Sequence, residues 1–90
     1  MSTAPAGTQT LAALANLEAL LAAAGTSKEL LVEVTLLVSD VQDVDEVQAG
    51  WRAWLPRLDG SLPVKHVLVS PSAYQRLGCR VELKAIAKAA

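Results

Sequence analysis

The fold is decided by two segments in the last third of the chain, Leu62-Pro63-Val64-Lys65-His66-Val67-Leu68-Val69 and Val81-Glu82-Leu83-Lys84-Ala85-Ile86-Ala87. Both are rich in Val, Leu and Ile, which favour β-strands. As strands, they place one cation, Lys65, and one carboxylate, Glu82, in a mostly apolar sheet. We interpret this pair as the one constellation in the sequence that looks like a small-molecule site.

The residue pattern before these two segments predicts two helices and one further strand. Residues 8–24 predict a helix that Thr8 or Thr10 caps and that Gly25 ends, because glycine tolerates the positive φ of a helix terminus. Its apolar side is expected to hold Leu11, Leu14, Leu17, Leu20 and Leu21.

Residues 30–38 predict a strand with one wholly apolar face, formed by Leu30, Val32, Val34, Leu36 and Val38. A second helix is expected to begin at Asp43 and to stop at Pro56. Acidic residues in its first turn suit the helix dipole. Its apolar stripe consists of Val44, Val47, Trp51, Trp54 and Leu55.

The predicted element order is α-β-α-β-β, which indicates an α+β fold with two helices packed on one face of a small mixed sheet. We expect residues 1–7 to be a flexible lead-in and residues 8–90 to form a single domain. The helix-free face of the sheet is expected to carry Glu33, Thr35, Lys65, Val67, Val69, Arg80, Glu82, Lys84 and Ile86.

Composition limits the classes of function. The chain has 90 residues, of which 52% are hydrophobic, more than a lone domain of this size easily hides. We therefore expect other subunits to cover part of the apolar surface. The net charge is −1 and no basic patch with aromatic residues is present, so nucleic acid is not a predicted partner. No apolar run is long enough for a membrane helix. The single cysteine, Cys79, excludes an internal disulfide and fits a reducing cytoplasm.

With these elements in place, the sequence resembles the RidA/YjgF family from Thr8 onward. Residues 10–25 and 31–40 are similar to the family's first helix and the strand after it. Pro63-Val64-Lys65 stands where the family has Pro-x-Arg, and residues 81–87 resemble its closing "(V/I)EIEAIA" strand.

The resemblance implies a homotrimer whose sheets pack into a central barrel, with sites in clefts between subunits. For active members it implies hydrolysis of reactive enamines and imines derived from amino acids. In such a site the arginine clamps the substrate carboxylate and the glutamate handles the water. Glu82 matches that glutamate, and Lys65 occupies the arginine position. No cofactor and no metal is implied.

Two departures from the family keep a second hypothesis open. The chain begins at the family's first helix, so the strands that precede it in the family are absent. Lysine also replaces arginine, and an ammonium offers a single-point charge where a guanidinium gives two parallel bonds. The alternative is a non-catalytic binding or assembly module, whose sheet a partner protein could complete with its own strands.

Other residues have simpler interpretations. Lys65 and Glu82 could form an ordinary cross-strand ion pair. His66, the only histidine, is expected to lie on the face opposite Lys65 as a partly buried residue at the edge of the core. Cys79 is expected to be a small buried apolar residue.

Overall fold

The computed structural model describes residues 4–55, 63–70 and 78–89. The helices are α1 (Ala6–Ala23) and α2 (Val44–Trp54), and the strands are β1 (Leu31–Val38), β2 (Val64–Val69) and β3 (Val81–Ala87). Short 3-10 turns at Lys28–Leu30 and Val41–Asp43 precede β1 and α2. The predicted order α-β-α-β-β is confirmed.

The three strands form one mixed sheet in the order β2-β1-β3. β1 is parallel to β2 and antiparallel to β3. The parallel pair requires a crossover, which α2 supplies between β1 and β2. β1 is the central strand, with β2 on one edge and β3 on the other. It is also the most apolar of the three strands.

The core lies between one face of the sheet and the two helices. β1 contributes Val34, Leu36 and Val38, all fully buried. The helices meet them with Leu14 and Leu21 of α1 and with Val47 and Trp51 of α2. The prediction of two helices on one face of a mixed sheet is confirmed.

The predicted apolar face of β1 is wrong at its first residues. An irregularity in the β1–β3 register between Leu31 and Glu33 shifts the alternation by one residue. Leu31 is consequently buried, whereas Val32 is 41% exposed. A bulge of this kind places two residues opposite one, so strict alternation in the sequence cannot reveal it.

The start of α1 also differs from the prediction. The helix begins at Ala6 after Pro5, which provides no side-chain cap. In its first turn the N–H of Gly7 instead donates to Oε2 of Glu46 in α2 at 3.1 Å. Thr10 is fully buried inside the helix, where its hydroxyl donates to the carbonyl of Ala6 at 2.7 Å. Ala6 and Gly7 therefore belong to the folded helix. The predicted end of the helix is confirmed, since Gly25 has the expected positive φ of 80°.

The two helices bury their predicted apolar sides to different extents. In α2, Val47 and Trp51 are buried and the rest of the stripe is half-buried. This helix starts one residue later than predicted, after a turn in which Asp40 accepts from the backbone N–H of Gln42. Pro56 lies outside the described residues. In α1, Leu11 and Leu20 are 48% and 68% exposed, contrary to the prediction.

Neither helix of the described chain combines the length and the apolar character that crossing a bilayer requires.

Candidate functional site

Lys65 and Glu82 lie on opposite faces of the sheet. Lys65 is in register with the fully buried Val34, so it projects toward the helices. There its Nζ donates to Oε1 of Gln48 in α2 at 3.0 Å. Glu82 is in register with Leu37 and projects from the helix-free face.

The two side chains are also separated by the central strand. Lys65 lies on β2 and Glu82 on β3, with β1 between them. Adjacent strands are about 4.8 Å apart, so the two backbones are about 10 Å from each other. The predicted arrangement, a cation and a carboxylate on one face, does not form within one copy of the chain.

The face assignment of β2 explains this correction. Side chains at paired positions of a sheet share a face, and Val67 and Val69 pair with the buried Leu36 and Val38. Lys65, Val67 and Val69 thus belong to the helix-covered face, contrary to the prediction. Either alternating set of β2 mixes apolar and polar residues, so the sequence does not determine which set turns inward.

The helix-free face carries three rows of side chains across the strands. They are Val64, Glu33 and Ile86; His66, Thr35 and Lys84; and Leu68, Leu37 and Glu82. Val64, Leu68 and Ile86 are each more than half exposed. This face is therefore a mixed surface, on which exposed apolar side chains lie among polar and charged ones.

His66 lies on this face and is more exposed than we expected. We expected it to be partly buried at the edge of the core, but its side chain is 47% exposed. Its Nε2 lies 3.1 Å from Oε1 of Glu33. The strand alternation places His66 opposite Lys65, as predicted, but nothing in the sequence indicates a pairing with Glu33.

A second polar cluster, which sequence reasoning missed, surrounds the carboxyl end of β1. A cavity of about 260 Å³ is lined there by Ser39, Asp40, Asp43, Gly78, Cys79 and Arg80. Nη1 of Arg80 lies 3.2 Å from Oδ2 of Asp43, and the hydroxyl of Ser39 donates to the carbonyl of Cys79 at 3.1 Å. These groups pair with one another, so the cluster links the ends of β1, α2 and β3. Cys79 is half-buried.

Metal ligation has no support in the part of the chain that the structure describes. No group of three or more His, Cys, Asp or Glu side chains is close enough there to hold an ion. The acidic residues near α2 cap turns and pair with Arg80.

Comparison with known proteins gives one family. Residues 2–89 match the family model Ribonuc_L-PSP, described as endoribonuclease L-PSP. None of the curated proteins matches the chain.

Three solved structures illustrate the likeness. A proposed translation initiation inhibitor from Salmonella typhimurium is 30% identical, with a TM-score of 0.83 over 93% of this chain and 70% of that protein. A member of the YjgF protein family from Neisseria meningitidis is 28% identical, with a TM-score of 0.84 over 96% and 69% of the two chains. E. coli TdcF with bound serine is 20% identical, with a TM-score of 0.83 over 97% and 67%, which shows the fold alone.

Proposed function

The chain belongs to the endoribonuclease L-PSP family, whose members include YjgF proteins, and from this we propose that it binds small carboxylate-bearing metabolites in a cleft between copies of itself. The helix-free sheet face is the observation that supports the proposal. It exposes Val64, Leu68 and Ile86 to water in a single copy. Apolar surface of this kind marks an interface. In our proposal a homotrimer covers it.

The positions of Lys65 and Glu82 favour a site shared between copies. Because the two side chains occupy opposite faces of one sheet, they meet a common ligand only if neighbouring copies contribute them. Glu82 projects from the face that the trimer would cover. Lys65 lies on an edge strand, and its bond to the neutral Gln48 leaves its charge available to a ligand carboxylate.

The reaction that this site would perform is hydrolysis of an enamine or imine of a small carboxylic acid. An enamine would first take a proton on its β-carbon and become the imine. The water oxygen would then add to the carbon of the C=N bond, and the two protons of the water would pass to the nitrogen. The C–N bond would break as the C=O bond forms, so that ammonia and a 2-oxo acid leave. Glu82 would orient the water and accept its proton. Lys65 would hold the substrate carboxylate through one charge-assisted hydrogen bond.

Ammonia release from freshly generated 2-aminoacrylate tests the reaction. We expect the protein to accelerate release over buffer and Glu82→Gln to lower kcat about 100-fold, within the usual range for a lost general base. Lys65→Ala should raise KM, and Lys65→Arg should retain binding.

The matched control for this assay is Lys88→Ala, an exposed lysine just beyond β3. Its rate should equal that of the unchanged protein. Equal rates in the Glu82→Gln and Lys65→Ala variants would remove both residues from the mechanism.

A non-catalytic binding or assembly module is the second candidate. The observation that favours it is the absence of a preformed clamp in one copy, since Lys65 is held by Gln48 on the helix side. Serine, which is bound to TdcF, serves as the probe for calorimetry. Serine binding without ammonia release from 2-aminoacrylate would select this candidate. Co-purification of a second protein would identify a partner that completes the sheet.

A further inference from the structure

We propose that the contact between His66 and Glu33 makes assembly pH-dependent, so that copies associate through the helix-free face more tightly when His66 is protonated. The proposal rests on the homotrimer of the proposed function and adds the condition under which that assembly forms. Three features support it: the geometry of the pair, its place among the exposed apolar residues of the face, and the fact that His66 is the only histidine of the chain.

The pair joins two neighbouring strands. His66 in β2 is in register with Thr35, and Glu33 lies two residues before Thr35 in β1. The two side chains are therefore diagonal neighbours on one face of the sheet. Nε2 of His66 lies 3.1 Å from Oε1 of Glu33. At this distance the two groups form an ion pair once the imidazole ring carries a proton.

Any copy that covers the apolar residues of this face also covers the pair. Val64 and Leu68, two residues before and after His66 in β2, are 57% and 52% exposed in a single copy. The side chains of His66 and Glu33 are themselves 47% and 43% exposed. Alternate residues of a strand share a face, so a copy that contacts both Val64 and Leu68 also contacts His66 between them. Assembly through this face therefore removes water from the pair.

This loss of water determines the direction of the pH dependence. With a neutral imidazole, assembly would bury the charged carboxylate of Glu33 without a cation beside it, which costs free energy. With a protonated imidazole, the two groups enter the interface as a pair without net charge, and the cost is smaller. Symmetry repeats the effect in every copy. Association would therefore take up protons at His66.

The other charged groups of the described sheet do not replace His66 as the partner of Glu33. Lys84 lies in the same row as His66 but across β1, with about 10 Å between the two backbones. Lys84 is exposed and forms no ion pair with Glu33 among the residues that the structure describes. Glu82 lies in the neighbouring row of β3 and has an interaction of its own. Lys65 projects from the opposite face.

The pH window follows from the side-chain types. Histidine ordinarily changes its charge between about pH 5 and pH 8. Carboxyl groups of ordinary acidity keep their charge above about pH 5.5. Because protonation of His66 and association favour each other, association should be tightest below about pH 6 and should be lost as the pH rises toward about 8.

Sedimentation equilibrium at about pH 5.5, 6.5 and 8 tests the proposal. A fixed urea concentration, set so that the unchanged protein is half-associated at the middle pH, keeps the equilibrium measurable for every variant. We expect the association constant of the trimer to rise about tenfold or more from the highest pH to the lowest. Circular dichroism at each pH verifies that the copies stay folded.

Two substitutions separate the pair from a general effect of acid. His66→Gln keeps a polar side chain but no titrating ring, so its association should be weak and should not change across the window. Glu33→Gln removes the carboxylate, so a protonated His66 would be buried without a partner and association should weaken as the pH falls. This reversal of sign would not arise if the two side chains contributed only packing.

The matched control moves the histidine to another surface. Val41→His in the His66→Gln background places a histidine at a 69% exposed position outside the sheet. Its association should be as insensitive to pH as that of His66→Gln alone. A histidine that restores the pH dependence from position 41 would show that the effect does not come from the helix-free face.

The outcomes distinguish this proposal from the proposed function. A trimer whose association constant stays the same across the window, or falls as the pH falls, would overturn the proposal and leave the cleft between subunits in place. The same pH dependence in His66→Gln as in the unchanged protein would also overturn it. A single copy at every pH, with and without urea, would overturn both the pH dependence and the homotrimer.

Discussion

Gln9 is the residue that joins the first turn of α1 to the start of β3. Its Nε2 donates to the carbonyl of Gly78 at 2.7 Å and to that of Ala4 at 3.0 Å. Its Oε1 accepts from the backbone N–H of Arg80 at 2.8 Å. One side chain thus satisfies backbone groups from two distant parts of the chain. We expect it to hold β3 in register with the helix layer.

Truncation of this side chain tests its contribution. We expect Gln9→Ala to lower the free energy of unfolding by about 1–3 kcal/mol, because it leaves partly buried backbone groups without partners. Gln9→Glu should cost at least as much, since it places a carboxylate oxygen against the carbonyl oxygens of Gly78 and Ala4, to which the amide nitrogen donates. Urea unfolding measures both, with Gln42→Ala at an exposed position as the control. A cost below about 0.5 kcal/mol for Gln9→Ala would show that water replaces the side chain.

The sequence could predict the sheet face of Glu82 but not that of Lys65. Glu82 lies on the helix-free face as predicted, because its neighbours Val81 and Leu83 are apolar and turn inward. Lys65 lies on the other face because its long aliphatic stem can cover apolar surface while its ammonium reaches Gln48. The pattern of β2 gives no preference between Lys65 with Val67 and His66 with Leu68. Only pairing with β1 decides it.

At the scale of elements, the contact between α1 and α2 depends on one glycine. Gly50 is buried, and a Cβ placed on it would lie 2.9 Å from Cγ2 of Thr10 and 3.1 Å from its Cβ. Thr10 itself is fully buried. The close approach of the two helices therefore requires a residue without a side chain at position 50.

Adding a methyl group at this crossing should destabilise the fold. We expect Gly50→Ala to lower the free energy of unfolding by about 1–3 kcal/mol, the usual cost of overpacking. Thr10→Ser removes Cγ2, so the double variant Gly50→Ala/Thr10→Ser should recover part of the loss. Gly7→Ala is the matched control, because its Cβ would find no atom closer than 3.8 Å. Equal stability of Gly50→Ala and Gly7→Ala would contradict a tight crossing. Thermal unfolding of the four variants gives the comparison.

The elements also show where pattern analysis succeeds. The five apolar residues of the α2 stripe are spaced at helical intervals, and all of them pack on the sheet or beside it. α1 is rich in leucine and alanine around much of its circumference, so its periodicity does not determine which leucines are buried. Leu20 is exposed because α1 lies near the edge of a three-stranded sheet, where no fourth strand meets it among the described residues.

At the scale of the whole molecule, a single copy leaves apolar side chains in water on two surfaces. One is the helix-free face of the sheet, and the other is the groove between α1 and the edge of β3. The described residues form a three-stranded sheet, in a chain that is 52% hydrophobic. Composition predicted that some apolar surface would need cover, but only the strand order shows that the face and the edge are separate surfaces.

Leu68 provides the test of the helix-free face. It is 52% exposed in one copy, so Leu68→Asp should change the stability of a single copy by less than about 0.5 kcal/mol. In a trimer that covers this face, the same substitution would bury an unpaired carboxylate, which costs far more than association can repay. We therefore expect Leu68→Asp to reduce the assembly by a factor of three while the copy stays folded. Sedimentation measures the mass, and circular dichroism confirms the fold.

Val41→Asp, at a 69% exposed valine outside the sheet, should leave the mass unaltered. A folded Leu68→Asp protein of unreduced mass would show that this face stays in water, and the proposed cleft between trimer subunits would then be excluded.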